Sequence, residues 1–156
     1  MEEYEINEET LAVIPLKSDK AKVYENDRVF IVNKSALKIM DDSCEFFGSS
    51  LEGRQKGTSK LIGVTHKAPV IIEESKEIIF FPTMSPRIDK CSWISLKNIE
   101  KIVKKNDKNY ILFKNNTMIE SDVSYGVINN QILRATRLES VLRNRKLSNF
   151  WLKSLY

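Results

Sequence analysis

Short runs of β-branched and aromatic residues, separated by polar and turn-forming ones, dominate the first half of the chain. That composition is typical of strands. The runs that predict strands are residues 10–14, 28–32, 60–64, 70–72 and 77–81. Pro69 and Pro82 stand at the ends of two of these runs, as expected because proline cannot donate to a strand ladder.

The clearest strand signal lies in the second half, in residues 99–103, 110–113 and 117–119. Asn115 and Asn116 separate the last two runs. Asparagine tolerates the positive φ that a tight hairpin turn requires, so these residues predict a hairpin.

After Ser121 and Asp122 the hydrophobic pattern changes to a helical period. At 100° per residue, one side of the helix collects the apolar residues Ile128, Ile132, Ala135 and Leu142. A different side collects Arg134, Arg137 and Arg145. This pattern predicts an amphipathic C-terminal helix of about five turns with a basic outer face.

The segment between the N-terminal and central runs predicts one short helix followed by a loop. Asp41, Asp42 and Ser43 are cap-forming residue types that precede the apolar Cys44. Residues 48–57 contain three glycines and predict a loop, with or without a helical turn. The predicted fold class is therefore α+β: a mostly antiparallel, curled β-sheet with a short internal helix and a C-terminal amphipathic helix.

Composition is consistent with one globular domain spanning residues 1–156, because no repeat or flexible linker interrupts the chain. Apolar residues make up 42% and charged residues 29% of the sequence. No apolar run approaches the roughly 18 residues of a membrane span. The N-terminus is acidic, unlike a secretory signal, and the two cysteines form no disulfide framework. We expect a cytoplasmic protein with no membrane contact.

The charge is distributed unevenly along the chain. Residues 1–53 carry 6 basic and 12 acidic side chains, a balance of −6, whereas residues 54–156 carry 19 and 9, a balance of +10. Such asymmetry favours a polyanionic partner for one face. A lysine-rich surface that only keeps the protein soluble is the alternative.

The glycine-rich stretch 48–55 approaches the pattern of a nucleotide-binding P-loop but lacks its chemistry. Arg54 replaces the lysine that reaches the phosphates, and Gln55 replaces the hydroxyl that holds magnesium. We therefore do not expect nucleotide hydrolysis here.

The backbone phosphates of DNA suit this stretch better. Its glycines allow close approach, and the hydroxyls of Ser49 and Ser50 can donate to phosphate oxygens. Four basic residues follow with no acid among them: Arg54, Lys56, Lys60 and Lys67. His66 either adds a donor or is a solvated loop residue, and the whole stretch could be a solvated basic loop. Arg87 and Lys90 form either a second contact loop or an ordinary surface loop.

Metal binding and catalysis have weaker support. Cys44, His66 and Cys91 show no paired ligand spacing, so buried thiols are the expected role of both cysteines. Neighbouring aromatic residues are expected in the core rather than stacked on bases: Phe46, Phe47, Phe80, Phe81 and Trp93. With one histidine and no recognisable carboxylate pair, we expect no enzyme, no metal and no cofactor.

Five phrases in fixed order carry a family resemblance: CEFFGSS at 44–50, LEGRQKGT at 51–58, HKAP at 66–69, IIFFPT at 78–83 and CSWIS at 91–95. Their order closely resembles that of the competence transcription factor (ComK) family of low-GC Gram-positive bacteria. The resemblance extends over roughly residues 4–142. It implies a DNA-binding transcription activator that recognises A/T-rich boxes.

The family implies minor-groove reading, for which Arg54 is the first choice of inserted side chain, with His66 or Arg87 as a possible addition. Phosphate contacts would come from Ser49, Ser50, Lys56, Lys60 and Lys67. The resemblance further implies a nucleoid-associated homodimer or dimer of dimers on DNA.

RNA polymerase and a protease adaptor are further partners that the family suggests. This chain stops short of the longer tail of some relatives, so regulated proteolysis is not carried over, although residues 150–156 could be a remnant of that tail. The alternative function is a non-catalytic protein-interaction module, a β-barrel adaptor that binds an acidic partner through the same basic surface. This alternative explains the charge but not the ordered phrases.

Overall fold

The computed structural model describes the backbone of residues 1–154 and the side chains of residues 1–148. Over residues 1–154 the chain forms nine strands and three helices. The strands are β1 (Thr10–Lys17), β2 (Lys20–Glu25), β3 (Val29–Val32), β4 (Val70–Glu73), β5 (Ile78–Pro82), β6 (Trp93–Ser95), β7 (Ile99–Lys105), β8 (Lys108–Phe113) and β9 (Met118–Ser121). The helices are α1 (Ala36–Phe46), α2 (Leu51–Ile62) and α3 (Tyr125–Ser154).

The larger sheet has six antiparallel strands in the order β3-β2-β1-β6-β5-β4. Its two halves join where β1 pairs with β6, with Ala12 opposite Ile94 and Val13 opposite Trp93. This pairing brings the turn between β1 and β2 close to the connector that precedes β6.

The smaller sheet has three antiparallel strands in the order β7-β8-β9. Asn116 lies in the β8–β9 turn with φ 73°, which confirms the predicted asparagine turn. Asn115 next to it donates through Nδ2 to the Asn26 carbonyl oxygen at 2.7 Å. This bond attaches the smaller sheet to the β2–β3 turn of the larger one.

Alternating side chains of the larger sheet serve two separate cores. Phe80 and Trp93 pack in one core with residues of α1, including Met40. Phe81 and Ile94 pack in the other core, with α3 and the smaller sheet. The α+β class with antiparallel sheets and a C-terminal helix is confirmed. Within residues 1–154 neither sheet closes into a barrel.

Helix α1 begins earlier than the sequence predicts. Ser35 is its N-cap, and its side chain accepts a hydrogen bond from the Lys38 backbone N–H at 3.1 Å. The prediction that residues 41–43 cap the helix is wrong, because they lie within it. Ser43 is buried, and its hydroxyl oxygen accepts from the Ile6 backbone N–H at 3.1 Å. The helix therefore begins at Ala36, which is also the first residue of its buried face.

Helix α2 replaces both the predicted loop at residues 48–57 and the predicted strand at residues 60–64. Ser50 caps it by accepting from the Gly53 backbone N–H at 3.0 Å, and Asp41 accepts from the Leu51 backbone N–H at 2.9 Å. Gly63, with φ 71°, ends the helix in the left-handed conformation typical of helix C-termini. Caps at both ends and three buried side chains outweigh the low helix propensity of its two glycines.

Helix α3 contains 30 residues, about eight turns rather than five. Its buried stripe is the predicted one, with Ile128, Ala135 and Leu142 in the second core and Ile132 packed against it. The side chains of residues 149–156 lie outside the described residues, so the suggested role of residues 150–156 is not addressed by the structure. Among the described helices, none combines the length and apolar character needed to cross a membrane.

Candidate nucleic-acid interface

A groove of about 810 Å³ runs between helices α1 and α2 and two loops of the larger sheet. His66 and Lys67 come from the loop before β4, and Arg87 comes from the connector between β5 and β6. Three of the nine predicted contact residues therefore meet in one depression, which we call the basic groove. The sequence places these two loops about twenty residues apart, and only the fold brings them together.

The two walls of the basic groove differ in charge. On the loop wall, Lys67 and Arg87 form no ion pair with any residue in the described part of the chain. On the helix wall, the Asp41 carboxylate accepts from the N-terminus of α2, and Glu52 pairs with Lys56 at 3.3 Å. The acids thus have local partners, and the bases of the loop wall are available to an external anion.

Positive charge continues from the groove along the β5–β6 connector. The β1–β2 turn packs beside this connector, so that Lys17 borders a shallow depression of about 130 Å³ with Arg87 and another of about 220 Å³ with Lys90. We call the set Lys17, His66, Lys67, Arg87 and Lys90 the basic strip. Two aspartates, Asp89 and Asp122, lie within its border.

Lys17 is the member of the basic strip that sequence reasoning misses. It lies at the end of β1 in an acidic half of the chain, and nothing in its local pattern indicates a contact site. Only the pairing of β1 with β6 brings it beside Arg87, so no local signal could have found it.

Arg54 lies on helix α2, apart from the basic groove. It shares a side of α2 with the buried Thr58, one turn away, and its Nε atom is buried with no hydrogen-bond partner among the described residues. Burial raises the pKa of the Cys44 thiol to about 11, and the nearby Arg54 guanidinium opposes that shift. Arg54 is thus close to the core side of α1 and does not line the basic groove.

The four other predicted contact residues of this region surround α2 without lining the groove. The Ser50 hydroxyl oxygen accepts from Gly53, and Ser49 makes only a long 3.5 Å contact to the Ser50 carbonyl oxygen. Lys56 and Lys60 are exposed one turn apart, and Lys56 pairs with Glu52. These residues form a flank beside the basic strip rather than a part of it.

The cysteines have the buried position that the sequence predicts. Burial also raises the pKa of the Cys91 thiol. Within the described residues, Cys44, His66 and Cys91 do not come together as a possible metal-ligand group.

The aromatic residues follow the prediction in all but one case. Phe80, Phe81 and Trp93 are fully buried, and Phe47 packs against the first core. The core position predicted for Phe46 is wrong, because this side chain is 65% exposed and meets Phe47 only edge-on. Phe46 is the last residue of α1, and its side chain lies outside the buried face of that helix.

A second groove, of about 700 Å³, separates the smaller sheet from α3 and is also lined by charged side chains. Its lining includes Glu77, whose carboxylate accepts two hydrogen bonds from the Arg143 guanidinium at 2.7 and 2.6 Å. Glu100 and Glu139 add negative charge, and Lys97, Lys101 and Lys114 add positive charge. None of the nine predicted contact residues lines this second groove, so the basic groove remains the candidate phosphate site.

The fold and the basic strip define an α+β protein with a surface suited to a polyanion. Comparison with known proteins shows its family. The family model described as ComK protein matches residues 1–147. The competence transcription factor of Bacillus subtilis (strain 168) is 36% identical over 149 residues, which cover 93% of this chain and 78% of that protein. No solved structure matches the chain. The chain belongs to the ComK family and thus to the regulators of transcription in competence.

Proposed function

We propose that this protein is a non-catalytic activator of transcription that binds double-stranded DNA and reads A/T-rich boxes through the minor groove. It would act as a single DNA-binding domain over residues 1–156, in the cytoplasm and on the nucleoid. The basic strip is the observation that carries this proposal, because it gathers unpaired positive charge from the end of β1 and from two separate loops onto one surface.

Phosphate contacts fix the register of a protein on the duplex and carry no sequence information themselves. We assign this role to Lys17, Lys67 and Lys90 of the basic strip. The α2 flank would extend the contact along the backbone of the duplex through Ser49, Ser50, Lys56 and Lys60. Ser50 can serve both the helix and a phosphate, because its oxygen accepts from Gly53 while its own proton remains free to donate.

Sequence preference in this proposal comes from shape. The narrow minor groove of A/T-rich DNA has an enhanced negative potential that attracts inserted arginine side chains. Arg87 is exposed on the β5–β6 connector, with the half-exposed Ile88 beside it as an apolar contact for sugar edges. We therefore rank Arg87 ahead of Arg54 for insertion, with His66 at the border of the same groove.

Binding of duplexes by fluorescence anisotropy tests the proposal. Labelled A/T-rich and G/C-rich duplexes of equal length are titrated with the protein at several salt concentrations. If each protomer neutralises about four phosphates, the slope of log affinity against log salt should be about −3.6 per protomer, with tighter binding to the A/T-rich duplex.

Polyglutamate serves as the control competitor, since it carries negative charge without a minor groove. A slope near zero, or equal affinity for the two duplexes, would contradict the minor-groove proposal. Displacement of DNA by polyglutamate at equal charge concentration would favour an acidic protein partner for the same strip. RNA polymerase and a protease adaptor remain further proposed partners, to be tested once DNA binding is measured.

A further inference from the structure

A buried glutamine on α3 connects the two loops that form the basic groove. Gln131 is only 1% exposed, although it lies in the apolar stripe between Ile128 and Ala135. Its Nε2 atom donates to the Lys67 carbonyl oxygen at 2.9 Å and to the Pro82 carbonyl oxygen at 2.7 Å. One side-chain amide thus holds the loop that carries Lys67 and the end of β5, from which the Arg87 connector departs.

An arginine one turn further along α3 extends this connection. Arg134 donates through Nη1 to the His66 carbonyl oxygen at 3.1 Å and to the Gln131 Oε1 atom at 3.3 Å. The backbone of two neighbouring loop residues, His66 and Lys67, is therefore bonded to two neighbouring side chains of α3. The Arg134 guanidinium, which the sequence places on a basic outer face, is directed at the backbone of the loop.

The loop that Gln131 and Arg134 contact contains a residue in an unfavourable backbone conformation. Lys67 has φ 52°, in the left-handed region that residues with a Cβ seldom adopt. The carbonyl oxygen of that same residue is the one that accepts from Gln131. Side chains on rigid elements keep a binding residue in place more accurately than a free loop can.

We propose that Gln131 and Arg134 are positioning residues of the DNA interface, which hold His66 and Lys67 in a fixed relation to Arg87. The proposal rests on the proposed function and deepens it. Neither residue needs to touch DNA. Their contribution is to keep the loop wall of the basic groove ordered before binding, so that its charges meet a duplex without first losing conformational freedom.

The arginines of α3 offer a matched pair for the test. Arg134→Met removes one charge together with the bond to the His66 carbonyl oxygen. Arg137→Met removes one charge from an exposed arginine that makes no hydrogen bond or ion pair to another described side chain or loop. We expect Arg134→Met to weaken binding of the A/T-rich duplex by about three- to tenfold, and Arg137→Met by less than about twofold.

Gln131→Met tests the buried amide with little change of volume. Hydrogen exchange of the free protein should show faster exchange at residues 64–68 and 83–88, with the amides of β1 and β2 unchanged.

A double-mutant cycle of Lys67→Ala and Gln131→Met supplies a measurement that a general loss of stability would not change. Lys67→Ala should weaken DNA binding clearly in the parent protein and much less in the Gln131→Met background. Without the bond from Gln131, Lys67 already contributes less to DNA binding, so that its removal has a smaller effect.

Equal losses for Arg134→Met and Arg137→Met would overturn the inference and leave DNA binding intact. Additive effects of Lys67→Ala and Gln131→Met would also overturn it. If Gln131→Met does not fold, the arginine pair decides alone, since Arg134 is only half-buried. Absence of salt-dependent DNA binding in the parent protein would instead overturn the proposed function, and the DNA role of both residues with it.

Discussion

Arg87 and Arg54 differ in how much of the side chain can leave the protein surface. Insertion into a minor groove requires the whole guanidinium to extend into the duplex. Arg87 is exposed on a connector, whereas the Nε atom of Arg54 is buried beside α1. At the scale of single residues, the two arginines therefore have separate expected roles, one in reading DNA and one in packing helix α2.

We expect Arg87→Ala to reduce the preference for A/T-rich duplex, with a loss of about 1–3 kcal/mol on specific sites and an unchanged Tm. Arg54→Ala should instead lower stability by about 1 kcal/mol, because its partly buried stem contributes to packing. Lys60→Ala is the control, since loss of an exposed lysine should weaken all duplexes about equally. Anisotropy titrations and thermal unfolding of the three variants measure these effects.

A different pattern would restore the assignment that the sequence alone suggests. If Arg54→Ala relaxes the A/T preference at unchanged Tm while Arg87→Ala has no effect, Arg54 reads the groove. The side chain would then have to leave the position it has in the free protein.

At the scale of elements, α2 depends on its first turn. Gly53 lies in that turn, and a Cβ added at this residue would come within 3.1 Å of both the Ser49 and Ser50 hydroxyl oxygens. We expect Ser50→Ala to lower the free energy of unfolding by about 1 kcal/mol, because the cap of the Gly53 N–H is lost. Ser49→Ala should stay within about 0.5 kcal/mol of the parent. Urea unfolding of the two variants measures the difference.

The same two variants separate a helix cap from a phosphate contact. If both hydroxyls donate to DNA, both variants should bind duplex less tightly, whatever their stability. Equal unfolding free energies for the two variants would contradict the capping role of Ser50.

The elements also show how far the sequence alone could reach. The strands of the smaller sheet follow from β-branched content and from Asn116, whose side chain suits the positive φ of its turn. Helix α2 could not be predicted, because Gly53 and Gly57 argue against a helix by propensity. Its support includes Asp41, which is distant in sequence and bonds to the Leu51 N–H. The local sequence pattern predicts elements whose stability depends on their own residues. It fails for α2, where a residue of another helix supplies a capping hydrogen bond.

The site shows the same division. His66, Lys67 and Arg87 are identifiable by residue type, and the family resemblance assigns them to DNA. Their union in one groove depends on long-range strand pairing and on the polar contacts of α3, which no local window contains. Gln131 in particular follows a helical apolar stripe in sequence and gives no sign of its two loop contacts.

At the scale of the whole molecule, ion pairs neutralise many of the acidic side chains that give residues 1–53 their negative charge. The acids of residues 1–53 pair with bases from both halves, as Asp42 does with Lys34 at 2.7 Å and Glu8 with Lys97 at 3.3 Å. Burial opposes the charged form of Asp42, but hydrogen bonds from Lys34 and Lys38 hold its pKa below the usual value. Internal pairing thus absorbs many of the acids, and the basic strip keeps most of its charge for an external partner.

One protomer presents a limited contact surface, because the basic strip contains three lysines, one arginine and one histidine. A single short A/T-rich box is also a weak source of specificity, since many sites in a genome resemble it. Joining two protomers makes the second binding event intramolecular and multiplies the affinity. Closed two-fold symmetry is the commonest arrangement for this, and it matches paired boxes on the duplex.

We therefore expect cooperative binding to two boxes that depends on the helical phase between them. Insertion of about five base pairs should place the second box on the opposite side of the duplex and weaken binding strongly, whereas insertion of about ten should restore most of it. Gel-shift titrations of the three spacings measure this dependence, and analytical ultracentrifugation should show at least two protomers per paired site. A complex of one protomer per duplex, indifferent to spacing, would contradict assembly and leave single-box binding unaffected, since the basic strip belongs entirely to one chain.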